Sequence, residues 1–204
     1  MEKKTVGGTM KRLLITGFEP FGGEKINPSW EAVCRLADKI GGYTLHKLCV
    51  PVVFGKAAEC VLSAAEEIQP DAIISVGQAG GRASITPELV AINFRYAKTP
   101  DNEGNRPEDE PITEGGESAY FSTLPVRRMA DAIADVGIAA QLSYSAGAYV
   151  CNDLLYSLLR EYDGTDVGVC FIHVPYVTEQ NKEPAMSLDG IVKGLTAAIE
   201  TLGK

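Results

Sequence analysis

The stretch KRLLITGFEPFGGEKINPSWEAV, residues 11–33, changes its hydrophobic period once, and that change sets the expectation for the fold. Residues 11–16 (KRLLIT) form a short apolar run that ends at a glycine, the pattern of a buried strand. The loop GFEPFGG follows. Asn27 and Pro28 then open a helix, with Asn27 as N-cap and Pro28 at the first helical position. Trp30, Val33, Leu36 and Ile40 share one face until Gly41-Gly42 stops it. Strand, loop and helix in this order are the repeating unit of an α/β protein.

The unit recurs outward. Residues 43–51 predict a second strand, 55–69 an Ala-rich helix, and 71–76 (DAIISV) a third buried strand. Residues 88–94 read as a strand, 126–136 as a helix, 139–144 as a strand, 148–162 as a helix and 167–174 (VGVCFIHV) as another buried strand. Leu188, Ile191, Val192, Leu195, Ile199 and Leu202 mark a final amphipathic helix. This alternation predicts a three-layer α/β/α sandwich around a mostly parallel sheet. Residues 97–118 (AKTPDNEGNRPEDEPITEGGES) interrupt it as a polar loop or hairpin insertion, which would add antiparallel strands and make the sheet mixed. One domain over 1–204 is expected. Residues 1–9 read as a leader outside it, with Met10 as an alternative start to Met1.

The formal charge of -8 and the pI near 4.9 argue against a nucleic-acid or anionic-membrane binder, whose footprint is basic. No run reaches the roughly 20 apolar residues that span a bilayer. The five cysteines (34, 49, 60, 151 and 170) include no CxxC pair. They are expected as reduced thiols in the cytoplasm, without a metal site.

Ligands of open α/β sheets gather where strands end in loops. Four such junctions carry unusual residues. In GFEPFGG, Phe18 and Phe21 suit either a flat apolar ligand or the core. In GQAGGR (77–82), closely spaced glycines let a backbone approach a ligand or turn tightly. Glu88, a few residues on, reads by itself as a solvated strand-edge charge. SYSAGAYVCND (143–153) runs from strand into helix and places Cys151 in the first helical turn. Free N–H groups and the dipole there favour a thiolate and a developing oxyanion. Cys34, Cys49, Cys60 and Cys170, in apolar stretches, read as buried inert thiols. In FIHVPY (171–176), His173 ends a strand, whereas His46 sits early in the second strand, away from the carboxyl ends. Cys151, His173 and Glu88 then form a conceivable nucleophile, base and orienting carboxylate.

GFEPFGGEKINPSWEAV, GQAGGR with ITPELVAIN, PDNEG, SYSAGAYVCN and FIHVPY, in this order across residues 12–176, together resemble the pyroglutamyl peptidase I (pyrrolidone-carboxylate peptidase) family. The resemblance implies a phosphorylase/hydrolase-like α/β/α sandwich and a cytosolic cysteine peptidase with no metal or organic cofactor, often a tetramer. It implies a catalytic triad of Glu88, Cys151 and His173. It further implies an apolar lactam pocket from Phe18 and Phe21 with Tyr149 and Val150, and lactam contacts from Asn27 and Gln78. Three positions depart from the family. Lys98 stands where an arginine associated with oxyanion support is common, Leu89 replaces an arginine after the triad glutamate, and Tyr149 often appears as phenylalanine. The substrate would be a peptide with N-terminal pyroglutamate. Another thiol amidase with a different pocket, and a non-enzymatic small-molecule binding module, are the alternatives.

Overall fold

A computed structural model of the chain describes residues 10–203; the expected leader and the choice of start lie outside them. In chain order the elements are β1 (Lys11–Phe18), α1 (Pro28–Arg35), β2 (Lys39–Ile40), β3 (Tyr43–Val50), α2 (Lys56–Ile68) and β4 (Ala72–Gln78). Then come β5 (Thr86–Pro87), β6 (Val90–Ile92), β7 (Ala119–Phe121), α3 (Val126–Asp135) and α4 (Val150–Glu161). β8 (Gly168–Val174), β9 (Tyr176–Val177), a 3-10 turn (Thr178–Gln180), β10 (Ala185–Met186), α5 (Leu188–Glu200) and a last 3-10 turn (Thr201–Gly203) complete the described chain.

Six strands form the central sheet in the order β2-β3-β1-β4-β8-β5, with β3, β1, β4 and β8 parallel and the short edge strands β2 and β5 antiparallel. Alternating side chains of β8 sort the two faces. Cys170, Ile172 and Val174 join α1, α3 and α5 in one buried cluster, and Val169 and Phe171 join α2 and α4 in the other. Helices therefore cover both faces, as the strand–helix alternation predicts. Gly17 is glycine for a packing reason: a Cβ there would stand 2.7 Å from the Trp30 backbone, so only glycine lets α1 lie this close to β1.

The structure corrects several sequence expectations. α1 ends at Arg35, because Leu36 turns extended, and Ile40 belongs to the edge strand β2 rather than to the helix face. Residues 139–144 are not a regular strand. They run beside β5, with bridges only at Ile85↔Ala140 and Glu88↔Ser143. Between those bridges lies Pro87, which has no N–H to donate to the ladder. Residues 88–94 divide likewise: Glu88 bridges Ser143, and β6 leaves the main sheet to pair with β7. The polar insertion thus closes a separate two-stranded hairpin, and it is β2 and β5 that make the main sheet mixed. Nor are the four other cysteines uniformly sealed: Cys34 is exposed, Cys49 and Cys60 are partly so, and only Cys170 is buried.

Candidate active site

The site gathers at the carboxyl ends of β1, β4 and β8. β8 delivers His173 on the face that α4 covers, two residues beyond Phe171. β4 lies beside it in register, with Gly77 opposite His173. α4 begins at Val150, capped by extended Tyr149 without a side-chain hydrogen bond, so the first-turn N–H groups have no intrahelical acceptor. Cys151 is the second helical residue. Its Sγ lies 3.1 Å from where a Gly77 Cβ would stand, and the Phe171 ring lies 2.7 Å from that same point. The missing side chain at Gly77 lets the sulfur settle against β4 beside the strand that carries the imidazole. Gly147, at φ +83, supplies the left-handed turn just before the helix.

Glu88 reaches the imidazole because β5 and the residue after it pair with β8. Its N–H donates to the Phe171 carbonyl at 2.9 Å, and its Oε1 lies 2.7 Å from His173 Nδ1. The same Oε1 accepts from Arg82 Nη1 at 2.6 Å, and Nη1 also donates to Thr86 Oγ1 at 2.6 Å. Oε2 is buried with no partner among the described residues. The glutamate is fully buried, so it is not the solvated edge charge that its local sequence suggests. Burial opposes its ionisation, but hydrogen bonding and charge from His173, with polar contacts from Ser143 and Arg82, hold its carboxyl below the ordinary carboxylate range.

Burial pushes the imidazole of His173 below its usual value, against the pull of Glu88. Burial and the nearby Glu88 charge push the Cys151 thiol up to about 12, with Arg82 opposing. Burial therefore favours the uncharged form of each group. It works against the thiolate that the helix start favours, so the two effects oppose each other at the same sulfur. With Nδ1–H donated to Glu88, Nε2 is the free base. No hydrogen bond joins Sγ to the ring among the described residues, the loose geometry common before a ligand closes a site.

Beside the sulfur lies a narrow pocket of about 290 Å³, lined by Phe18, Phe21, Asn27, Val52, Gln78, Tyr149, Val150 and Cys151. It opens toward a wider groove of about 950 Å³ formed by Phe21, Gly22, Tyr96, Lys98, Thr99, Ala148 and Tyr149. Lys98 is exposed on that groove and outside the narrow pocket. His46 lies in β3 opposite Leu14, away from this end.

Polar side chains stitch the walls together. Asn27 Oδ1 accepts from Ser29 N–H at 3.1 Å and Oγ at 2.8 Å, and its Nδ2 donates to the Glu19 carbonyl at 2.9 Å. Glu19 Oε1 accepts from Val52 N–H at 3.2 Å and from Asn102 Nδ2 at 2.8 Å, tying the PDNEG segment to the phenylalanine loop. Asp101 accepts from the Phe54, Glu103 and Asn105 N–H groups at 3.0, 3.0 and 2.8 Å. Tyr149 Oη donates to the Pro100 carbonyl at 3.1 Å, which places the extra hydroxyl on the insertion rather than in the pocket.

Sequence reasoning missed Arg82, Val52 and Glu19. Arg82 closes the GQAGGR motif, in which the sequence points to the glycines and, through the family resemblance, to Gln78. A larger charged cleft under the insertion, with Lys56, Glu59, Arg95 and Arg106 on its walls, contains no nucleophile. No group of three or more His, Cys, Asp or Glu among the described residues is arranged to hold a metal ion.

A thiol, an imidazole and a buried carboxylate at the strand ends of an α/β sandwich are the layout of a cysteine hydrolase. The chain belongs to the pyroglutamyl peptidase family, whose model matches residues 11–204. It is 50% identical over 195 residues to the pyrrolidone-carboxylate peptidase of Lactobacillus helveticus, covering 93% of this chain and 98% of that one. Identity to the Thermosipho africanus pyrrolidone-carboxylate peptidase is 50% over 201 residues, 95% of this chain and 97% of that one. Among solved structures, pyroglutamyl peptidase I of Bacillus amyloliquefaciens superposes with a TM-score of 0.90 at 48% identity, covering 95% of this chain and 97% of that one.

Proposed function

We propose that the chain hydrolyses the amide bond after an N-terminal pyroglutamyl residue, with Cys151 as nucleophile, His173 as general base and acid, and Glu88 as the orienting carboxylate. The observation that carries this reading is the 2.7 Å contact of His173 Nδ1 with buried Glu88, on the sheet face where Cys151 starts α4. Phe18, Phe21, Val52, Tyr149 and Val150 form the slot for a flat ring, and Asn27 and Gln78 supply its polar edge.

His173 Nε2 takes the thiol proton as Sγ attacks the pyroglutamyl carbonyl. The tetrahedral oxyanion is held by first-turn N–H groups of α4. The C–N bond breaks, the proton on Nε2 passes to the leaving amine, and a thioester remains. Water, deprotonated by the same nitrogen, then attacks the thioester, releasing pyroglutamate and the thiol. A transient thiolate suffices, because the transfer occurs during attack. The leaving peptide lies in the wider groove, where Lys98 adds positive charge without the planar fork of an arginine.

The test is release of a dye amine from a pyroglutamyl amide, with and without iodoacetamide, and in Cys151→Ser. Turnover should fall by about 10⁴ or more on substitution. Undiminished turnover would remove Cys151 from the chemistry, and equal turnover of prolyl or glutamyl amides would favour a general thiol amidase.

The proposal extends to a cytoplasmic tetramer. Five unpaired thiols suit a reducing compartment. Phe121 and Tyr144, 65% and 64% exposed, offer aromatic surface for a second copy. Light scattering giving a monomer mass would refute the assembly.

A further inference from the structure

Gln78 leaves β4 at the pocket, and an amide there can show a ligand either its oxygen or its NH2 group. The choice is made outside the pocket. Gln180, in the 3-10 turn after β9, accepts from the Val177 N–H through Oε1 at 3.1 Å. A backbone N–H can only donate, so Oε1 is fixed at that position. Gln180 Nε2 then faces Gln78 Oε1 at 2.9 Å and Glu24 Oε2 at 3.3 Å. An ionised carboxylate can only accept, so Glu24 pins the same orientation independently. Glu24 is itself paired with Lys182. With Oε1 of Gln78 thus engaged, its Nε2 has no acceptor among the described residues, and it is the end left for a ligand.

We propose that Gln180 is a positioning residue for specificity: it fixes the Gln78 amide so that the pocket presents a hydrogen-bond donor to the ring carbonyl of the substrate. A pyroglutamyl ring has that carbonyl and a prolyl ring lacks it. The proposal rests on the pyroglutamyl reading and deepens it. The relay also bridges three segments near the pocket: Glu24 follows the phenylalanine loop, Gln78 ends β4, and Gln180 follows β9, the short strand after the one that carries His173.

Gln180→Glu reverses the polarity. One carboxylate oxygen still takes the Val177 N–H, while the other demands a donor, so Gln78 turns its NH2 outward and leaves oxygen facing the pocket. The experiment measures kcat and KM on pyroglutamyl and prolyl anilides for the unsubstituted chain, Gln180→Glu, Gln180→Leu, Gln78→Leu and the double variant Gln78→Leu/Gln180→Glu. In Gln180→Glu, KM for the pyroglutamyl substrate should rise about ten- to a hundredfold. Its kcat should stay within about threefold, and prolyl hydrolysis should not fall. Gln180→Leu, which frees Gln78 without reversing it, should raise KM several-fold and carries the test should the glutamate variant fold poorly. The double variant should match Gln78→Leu alone, because the effect passes through Gln78. A KM within twofold of normal in Gln180→Glu, an equal loss on both substrates, or additive losses in the double variant would overturn the relay. Should the unsubstituted chain itself leave the pyroglutamyl anilide intact, the activity reading falls first and this one with it.

Discussion

Two carboxylates, Glu88 and Asp153, are both fully buried and both paired with an arginine, yet their surroundings differ in one respect. Asp153 has each oxygen occupied: Oδ1 by Arg95 Nε at 2.5 Å and Oδ2 by the Gly55 N–H at 2.8 Å. It ties α4 to the start of α2 and to the chain leading into the insertion. Glu88 places both partners, Arg82 and His173, on Oε1 and leaves Oε2 bare. Asp153 is a closed structural joint. Glu88 is a joint left partly open, and the group it holds is an imidazole that can still exchange a proton. A buried ion pair alone therefore says little about function; what the second oxygen meets says more.

The largest expected effect of breaking this contrast comes from Glu88→Gln. A neutral amide cannot enforce the Nδ1–H tautomer and leaves Arg82 without its counter-charge, so kcat/KM on a pyroglutamyl amide should drop by about 10³–10⁴. The thermal midpoint should move by less than in the matched aspartate variant, measured by calorimetry. A smaller drop, within tenfold, would place Glu88 beside Asp153 as purely structural.

Asp153→Asn should do the reverse. Removing one member of a buried pair strands Arg95 and costs about 3 kcal/mol or more of stability. Urea unfolding should detect the loss, while kcat at a temperature where the variant stays folded should change only a few-fold. A rate loss comparable to that of Glu88→Gln would erase the distinction.

The pH response sharpens the comparison further. On the proposed mechanism His173 acts as the neutral base, and its pKa in the fold lies below the ordinary imidazole value of about 6.5. Activity should therefore persist as pH falls past that value and then decline about tenfold per unit. Stability follows with the same sign. Below about pH 6.5 the unfolded chain binds a proton at His173 that the folded chain refuses, so the fold weakens on acidification. The depressed carboxyl of Glu88 adds to this below about pH 4.5. An acid limb above 6.5 would contradict the buried neutral imidazole.

Tyr149→Phe should have the smallest effect. It removes one partly exposed hydrogen bond to Pro100, worth about 1 kcal/mol, so KM should rise a few-fold with kcat unchanged.

Much of the fold was legible in short-range pattern. The β1 run, the Asn27-Pro28 helix start and the β8 run all read from local periodicity, and they appear within a residue or two of the expected boundaries. The misreadings share a cause, because each depended on a distant partner. Residues 139–144 lack a continuous ladder because Pro87 faces them, and α1 stops short because the chain must turn into the edge strand β2. Cys151 could be assigned to a first helical turn from SYSAGAYVCND alone, since capping and turn chemistry are local. Arg82 could not be paired with Glu88, nor Gln180 with Gln78, because six and 102 residues separate them and only the sheet brings them together.

The sequence by itself determined the main alternation of strands and helices, a cysteine in a first helical turn and the family of the chain, because these are carried by neighbours in the chain and by motifs in series. Tertiary structure alone decided how burial shifts the thiol and the imidazole, the burial of Glu88 and the partner that the Gln78 amide meets. Those depend on how much water is excluded and on which donor meets which acceptor, and both are settled only when remote segments pack.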